Sequence, residues 1–281
     1  MTASLTDMTI VMPTYNDEPS TLRVVLKAAA SEPVEPPLIV VDMSTDNRIR
    51  HVCDEFGDRI SYHHYPESTG VSDSRNRCVA LASTRYITQL DSDVLPDHGW
   101  LEPLARKLRE PDVAVVGSRV LPRWLATPPR LFKSRAAAPL LSIFDLGEET
   151  IDVVRLIGGS YSFDRELVSD PPFDLALGRK PGDALALEEN ALCEAARVNG
   201  FRVVYVADSV VHHMIPKERL TWRFMWSRAR VTGRERRLAG KVESLPRPPR
   251  TINDKAFLLA IAPAILTGMA QPEARTEMRS S

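Results

Sequence analysis

Short apolar runs alternate with helical repeats along most of this chain, which predicts an α/β fold built on a mostly parallel sheet flanked by helices. Three observations carry that expectation. The runs Leu38 to Val41 and Tyr86 to Leu90 are short and continuous, as strands covered on both faces are. Segments between such runs place apolar residues at helical spacing, as at Leu22, Val25, Leu26 and Ala29. Two runs stop at acidic residues, Asp42 and Asp91, at the carboxyl strand ends where ligand crevices of such sheets form.

Thr9 to Met12 is the first strand, closed by Pro13, and Ser20 caps the helix that follows. Leu38 to Val41 is the second strand, Arg48 to Phe56 a helix, and Ile60 to His64 a shorter third strand. Ser72 to Ser83 has helical spacing through Val79 and Ala82 and leads into the strand ending at Asp91. Gly99 to Leu108 is the next helix and Val113 to Val116 the next strand. Leu121 to Pro139, rich in Pro, Arg and Trp, is expected to be an irregular excursion or a mobile lid. Order returns from Val153 to Phe163 around Gly158-Gly159, in a helix from Glu188 to Val198 and in a strand from Phe201 to Val206. Pro216 marks the exit, dividing a domain of residues 1–215 from an extension of residues 216–281. In that extension Leu220 to Ala239 is an Arg-rich helix bearing Trp222, Phe224, Met225 and Trp226, and the end from about Gln271 is expected to fray.

With 281 residues, 43% of them hydrophobic, the chain can bury one substantial core, or a core and a smaller appendage. Its formal net charge of −1 gives no case for nucleic-acid binding. The charge is unevenly spread, however, because Arg219 to Arg250 is strongly basic, with only Glu235 and Glu243 opposing it. Cys53, Cys78 and Cys193 are odd in number and widely spaced, so neither a disulfide framework nor a zinc knuckle is expected and a reducing cytoplasm is the natural setting. Met1 to Asp7 lacks the basic and apolar regions of a secretory signal. The apolar run Ala256 to Ala270 is interrupted by Pro263 and shorter than the roughly 20 residues that span a bilayer. The expectation is a soluble protein, or one peripheral at the inner face of a membrane.

Chemistry concentrates at Asp91-Ser92-Asp93. Two carboxylates at an open sheet edge repel each other unless a cation lies between them, and Mg²⁺ or Mn²⁺ takes oxygen ligands. Such an ion would also neutralise a nucleotide diphosphate. Taken alone, the same three residues also make an ordinary turn after a strand.

The order of several separated pieces points further. They are Val11-Met12-Pro13-Thr14-Tyr15-Asn16, Ile39-Val40-Val41-Asp42-Met43-Ser44-Thr45-Asp46, Gly70-Val71-Ser72-Asp73-Ser74-Arg75-Asn76 and Leu90-Asp91-Ser92-Asp93. Gly158-Gly159-Ser160-Tyr161-Ser162-Phe163, Glu188-Glu189 and Ala207-Asp208-Ser209-Val210-Val211-His212-His213 follow. In this order, over roughly residues 8 to 230, the chain resembles a family 2 glycosyltransferase of the GT-A fold, an inverting and metal-dependent class.

That resemblance implies a nucleotide-sugar site built from Pro13, Thr14, Tyr15, Asn16, Asp42, Arg75, Asp91, Ser92 and Gly159. It implies Asp93 as the direct metal ligand, Asp91 toward the ribose or the metal's water shell, and one histidine of the His212-His213 pair as a further ligand, with His212 preferred. Glu189 takes the place of the family's general base, with Glu188 as the alternative. Each piece also has a plainer explanation: Asn16 or Asp17 as helix caps, Arg75 on a solvated face, and the two glutamates favoured by a helix dipole. The family commonly has a second acidic residue or Asn beside Asp42, where this chain has Met43.

The expected reaction moves a single sugar from a nucleoside diphosphate-sugar donor to a hydroxyl acceptor of unknown identity, assisted by Mn²⁺ or Mg²⁺. Single transfer is expected because the chain lacks the Gln-x-x-Arg-Trp sequence of the family's processive synthases. Arg228, Arg230 and Arg234 are candidates to reach the diphosphate or a phosphorylated acceptor, and the basic helix with its apolar neighbour is a candidate for peripheral membrane contact. A homo-oligomer stays open. Two other classes compete: a sugar-phosphate nucleotidyltransferase, disfavoured because Pro13-Thr14-Tyr15-Asn16 is not a Gly-rich loop, and a non-catalytic nucleotide-sugar binder.

Overall fold

The computed structural model describes residues 5–180, 185–238 and 250–270. In chain order the elements are β1 (Met8–Thr14), α1 (Pro19–Ala30), β2 (Leu38–Asp42), α2 (Arg48–Asp54), β3 (Ser61–His64), α3 (Val71–Leu81), β4 (Tyr86–Leu90) and β5 (Val94–Pro96). They continue with α4 (Leu101–Leu108), β6 (Val113–Trp124), β7 (Ile151–Asp152), β8 (Ser160–Asp164), α5 (Glu188–Val198), β9 (Arg202–Ile215), α6 (Trp222–Leu238) and α7 (Ile252–Ala270). They divide into two compact units, one running to Thr127 and resuming from Leu141 to Pro216, the other comprising Pro128–Leu140 and the chain from Lys217.

The first unit is a single mixed sheet in the order β3-β2-β1-β4-β8-β6-β9-β5, with β7 paired on β9. Its half from β3 to β4 is parallel, and every residue of β2 and β4 is buried, which explains their uninterrupted apolar character. Helix α1 begins at Pro19, one residue before the expected cap. Proline suits that position because its missing N–H would lack a helical partner anyway. Helix α5 runs from Glu188 to Val198 as its spacing predicts.

The other half of the sheet is where the structure departs most from expectation. β8 enters antiparallel between β4 and β6, and the expected short strands at Val113 and Phe201 lengthen into a parallel pair, β6 and β9. That pair slips in register between Ser118 and Arg119, then continues from Arg119 opposite Val210 to Trp124 opposite Ile215. Leu121 to Trp124, expected as irregular, is therefore strand. β5 hydrogen-bonds antiparallel to β9, with Val94 opposite His213 and Leu95 opposite His212.

In the second unit, Phe132 meets the rings of Trp222 and Phe257 edge-on, at 5.0 and 6.2 Å. The remainder of the expected lid, Pro128 to Pro139, thus belongs to a packed aromatic cluster. Asp254 fastens this region by accepting from the backbone N–H of Ala136 and from those of Arg250 and Thr251. Pro263 does not end α7, which continues through it for 19 residues. Proline removes one backbone hydrogen bond and bends a helix without necessarily stopping it. Among the described residues α7 is the one helix long and apolar enough to cross a membrane by length and composition, contrary to the expectation that this run is too short. The expected basic residues Lys241 and Arg247, and the expected frayed end, lie outside the described residues.

Candidate active site

The antiparallel return of β5 onto β9 places the last carboxylate of the Asp-Ser-Asp triplet. Met214 N–H donates to the Asp93 carbonyl at 2.9 Å, fixing that residue against the end of β9. Asp91 is fixed on the other flank, where its N–H donates to the Gly159 carbonyl at 2.9 Å. Gly159 has φ of 129°, a region open to glycine and strained for other residues, which accounts for glycine at the turn into β8.

Successive side chains on a strand point to opposite faces, so only one of two adjacent histidines can share Asp93's side. That residue is His213, not the expected His212. His213 Nε2 lies 3.3 Å from Asp93 Oδ2, whereas His212 Nε2 lies 3.0 Å from Asp97 Oδ1. The His213 ring is buried and oriented from behind, its Nδ1 lying 2.7 Å from the Leu141 carbonyl oxygen. A carbonyl can only accept, so Nδ1 carries a proton and Nε2 is the ring nitrogen that faces the carboxylate.

These two donors fit a divalent cation. An imidazole nitrogen held by a backbone carbonyl, with a carboxylate oxygen opposite, is a common arrangement of metal ligands. Among the described residues no group of three or more His, Cys, Asp or Glu side chains is placed to hold an ion by itself. Mg²⁺-type sites commonly rely on one or two protein groups and complete their shell with substrate phosphates and water.

Behind Asp91 lies a buried ion pair. Arg75, projecting from α3, donates through Nη1 to Glu188 Oε1 at 2.5 Å and faces Asp91 Oδ1 at 3.4 Å. The side chains of Arg75 and Glu188 are only 5% and 3% exposed. Burial alone opposes the charge on Arg75, but Tyr161, Glu188, Asp91 and Glu189 around it more than offset that cost, and its pKa is raised. Glu188, the alternative base that the resemblance offers, is thus held to Arg75 through its Oε1. Glu189 is placed differently. Its Oε1 accepts from the Gly158 N–H at 3.3 Å, which sets the carboxylate beside the glycine turn that leads into β8.

The first strand end supplies the remaining pieces. Pro13 and Thr14 lie opposite Val41 and Asp42 in the β1–β2 ladder. Tyr15 is exposed, and Asn16 takes a positive φ of 53° while its N–H donates to Ser44 Oγ at 2.8 Å. Asp42 has no exposed surface. Its Oδ1 accepts from the Ser44 N–H and from the Thr14 hydroxyl, and its Oδ2 accepts from the Tyr62 hydroxyl at 2.8 Å. That carboxylate ties together the loops after β1 and β2 and the strand β3.

Asp17 was expected only as a helix cap. Instead its Oδ2 accepts from the Ser92 hydroxyl at 2.7 Å and from the Tyr15 N–H at 3.2 Å, so it clasps the loop after β1 to the Asp-Ser-Asp turn. Its pKa is pushed up to about 6, chiefly by burial and further by the negative charges of Asp93 and Asp91, against the lowering pull of its two hydrogen bonds. The sequence signal was adjacency to Asn16 at a strand end, and it did not distinguish a cap from a site residue.

The model of the family described as glycosyl transferase family 2 matches residues 9–167. A glucosyl-dolichyl phosphate glucuronosyltransferase of Haloferax volcanii is 27% identical over 238 residues, which are 80% of this chain and 75% of that protein. A pre-mycofactocin glycosyltransferase of Mycobacterium tuberculosis is 32% identical over 121 residues, 41% of this chain and 24% of the relative. Among solved structures, GalNAc-T7 with UDP, GalNAc and Mn²⁺ superposes with a TM-score of 0.60 at 13% identity, over 91% of this chain and 54% of that one. The mannosyltransferase PcManGT of Pyrobaculum calidifontis, in complex with GDP-Man and Mn²⁺, gives 0.60 at 19% identity over 94% of this chain and 73% of its own. At such identities the structural likeness speaks for the fold, which is GT-A.

Proposed function

The chain belongs to glycosyl transferase family 2, and from that premise we propose that it transfers a single sugar from a nucleoside diphosphate-sugar to a hydroxyl acceptor with inversion at the anomeric carbon. The observation that carries the metal-assisted form of this reading is the facing pair of Asp93 Oδ2 and His213 Nε2, 3.3 Å apart at the end of the nucleotide-binding sheet. When bound between them, Mn²⁺ or Mg²⁺ would neutralise charge on the leaving diphosphate. The Mn²⁺ complexes of GalNAc-T7 and PcManGT support a divalent ion in this fold.

The chain's own groups do the rest. Thr14, Tyr15 and Asn16 border the nucleoside, held in place through the Asp42 and Ser44 contacts. Arg75 keeps Asp91 oriented from behind while Glu188 balances its charge. Glu189 accepts the proton of the acceptor hydroxyl as that oxygen bonds to the anomeric carbon and the bond to the diphosphate oxygen breaks. One displacement needs no covalent intermediate, so the configuration inverts.

The first test screens UDP-, GDP- and dTDP-sugars with Mn²⁺ by thermal shift, since a bound donor stabilises the native state. At least one donor should raise the melting temperature, and no shift with any of them would remove the donor reading. With a donor in hand, Glu189→Gln should keep that shift while turnover falls roughly 10²- to 10⁴-fold. Undiminished turnover in that variant would remove Glu189 as the base.

A further inference from the structure

We infer that the second unit docks on an anionic lipid bilayer through the outward face of α7, drawn there by the basic charge of the unit. It is independent of the assignment of donor or base.

The first observation is the outward face of α7. Ile252, Leu259 and Leu266 recur every seven residues, so they lie along one side of the helix, and they are 85%, 77% and 64% exposed. Pro263 continues that strip, and Lys255 is its one charged member. On the opposite side α7 packs closely on α6, where added methyl groups at Gly233 and Gly268 would strike the backbone at Ile265 and Arg230. A helix apolar on all sides is ordinarily covered on all sides. Here only 28% of the apolar stretch is buried.

The second observation is charge. The described residues of this unit include thirteen Lys and Arg and only three acids, Glu218, Glu235 and Asp254, giving a net charge of +10. Arg223 and Arg230 are exposed on α6, and Trp222 and Trp226 stand half-exposed on the same stretch. A basic, tryptophan-bearing unit that also carries an exposed apolar strip has the composition of surfaces that lie at the level of lipid headgroups.

These features select one occupant. In a two-fold dimer the same patch meets itself, which would bring two units of net charge +10 against each other. A bilayer rich in anionic lipid meets both properties, taking the strip into its acyl boundary while its negative surface potential attracts the basic unit. Full insertion of α7 is disfavoured because α6, bound along its side, would carry its arginines into hydrocarbon.

The experiment is sedimentation of the full chain with vesicles of phosphatidylcholine alone and of phosphatidylcholine mixed with phosphatidylglycerol, over a range of salt concentrations. Binding should require phosphatidylglycerol and weaken with salt. Arg223→Gln and Arg230→Gln should each weaken it about fivefold, and Leu259→Glu with Leu266→Glu should abolish it. Both leucines are exposed, so the melting temperature and turnover on a soluble acceptor should stay at wild-type values, which keeps failure of docking separate from failure of the enzyme. Absence of binding to the anionic vesicles overturns the inference, as does binding that survives the two glutamates. A wild-type dimer in light scattering that those glutamates split would assign the face to a second copy, and would overturn it equally.

Discussion

Replacing Arg75 by Met tests whether the buried pair with Glu188 holds the site together. The two side chains are 5% and 3% exposed, and their contact at 2.5 Å is charge-assisted. Methionine keeps much of the volume beside Tyr161 and Phe173, whose ring centroids lie 5.8 Å from the guanidinium carbon, but it abandons the Glu188 carboxylate in a desolvated place. Breaking a buried pair from one side costs about 3 to 5 kcal/mol. Glu188→Gln should cost less, about 1 to 3 kcal/mol, because Arg75 retains Asp91 at 3.4 Å. If the pair is coupled, the double variant Arg75→Met, Glu188→Gln should be more stable than the sum of the two losses by about 2 kcal/mol. Urea unfolding at neutral pH, followed by far-UV circular dichroism with the slope of the transition checked for constancy, measures all four corners. Additive losses, or an Arg75→Met loss below about 1 kcal/mol, would refute the assignment of Glu188 to this pair.

Asp17 supplies a test with a sign. Its folded pKa of about 6 lies above the usual 3.8, so the native state holds the proton more tightly and its contribution falls away as pH rises through that window. The shift corresponds to roughly 3 kcal/mol at most, and partial exposure of the carboxylate reduces that to about 1 to 2 kcal/mol. Asp17→Asn should therefore raise the melting temperature at pH 7.5 and leave it nearly unchanged at pH 4; a variant equally altered at both would sink the idea. The two histidines give a second contrast. His213→Ala should raise the Mn²⁺ concentration for half-maximal donor hydrolysis about tenfold or more, while His212→Ala should leave it at the wild-type value, and the reverse order would reassign the ligand.

Where an apolar pattern is continuous or strictly periodic, sequence and structure agree. β2, β4 and α5 begin and end within a residue of expectation because continuous apolar runs and 3.6-residue spacing are local properties. β5, the second half of β9 and the end of β6 were not legible in this way. They exist because distant strands pair, and residues such as Pro122 and Arg123 carry no strand preference of their own to announce it. The site followed the same division. Asp91, Asp93, Arg75 and Glu189 could be found by their place in an ordered series, and the structure draws their elements together. The choice between His212 and His213 depended on strand parity relative to β5, which no spacing in the sequence contains. Asp17 and Tyr62 escaped because their partners, Ser92 and Asp42, are contributed by other elements.

The charge arrangement explains why the structural and chemical roles separate so cleanly. Asp17, Asp91, Asp93, Glu188 and Glu189 are electrostatically linked through contacts and fields that run across the ends of β1, β4 and α5. Arg75 is the guanidinium buried among them, and it lies toward Glu188 and Asp91. Asp17 lies at the front of the cluster, where burial chiefly and the negative charges of Asp93 and Asp91 in smaller measure push it toward protonation. A front of this sign repels a diphosphate by itself and attracts a cation. The rear pair is buried, and at the front Asp93 Oδ2 faces His213 Nε2 at 3.3 Å. Glu189 stands beside the glycine turn, accepting from the Gly158 N–H, and its charge acts on Arg75 as well. Of the two neighbouring glutamates at this helix start, Glu188 accepts from the guanidinium through Oε1 and Glu189 Oε1 accepts from the Gly158 N–H.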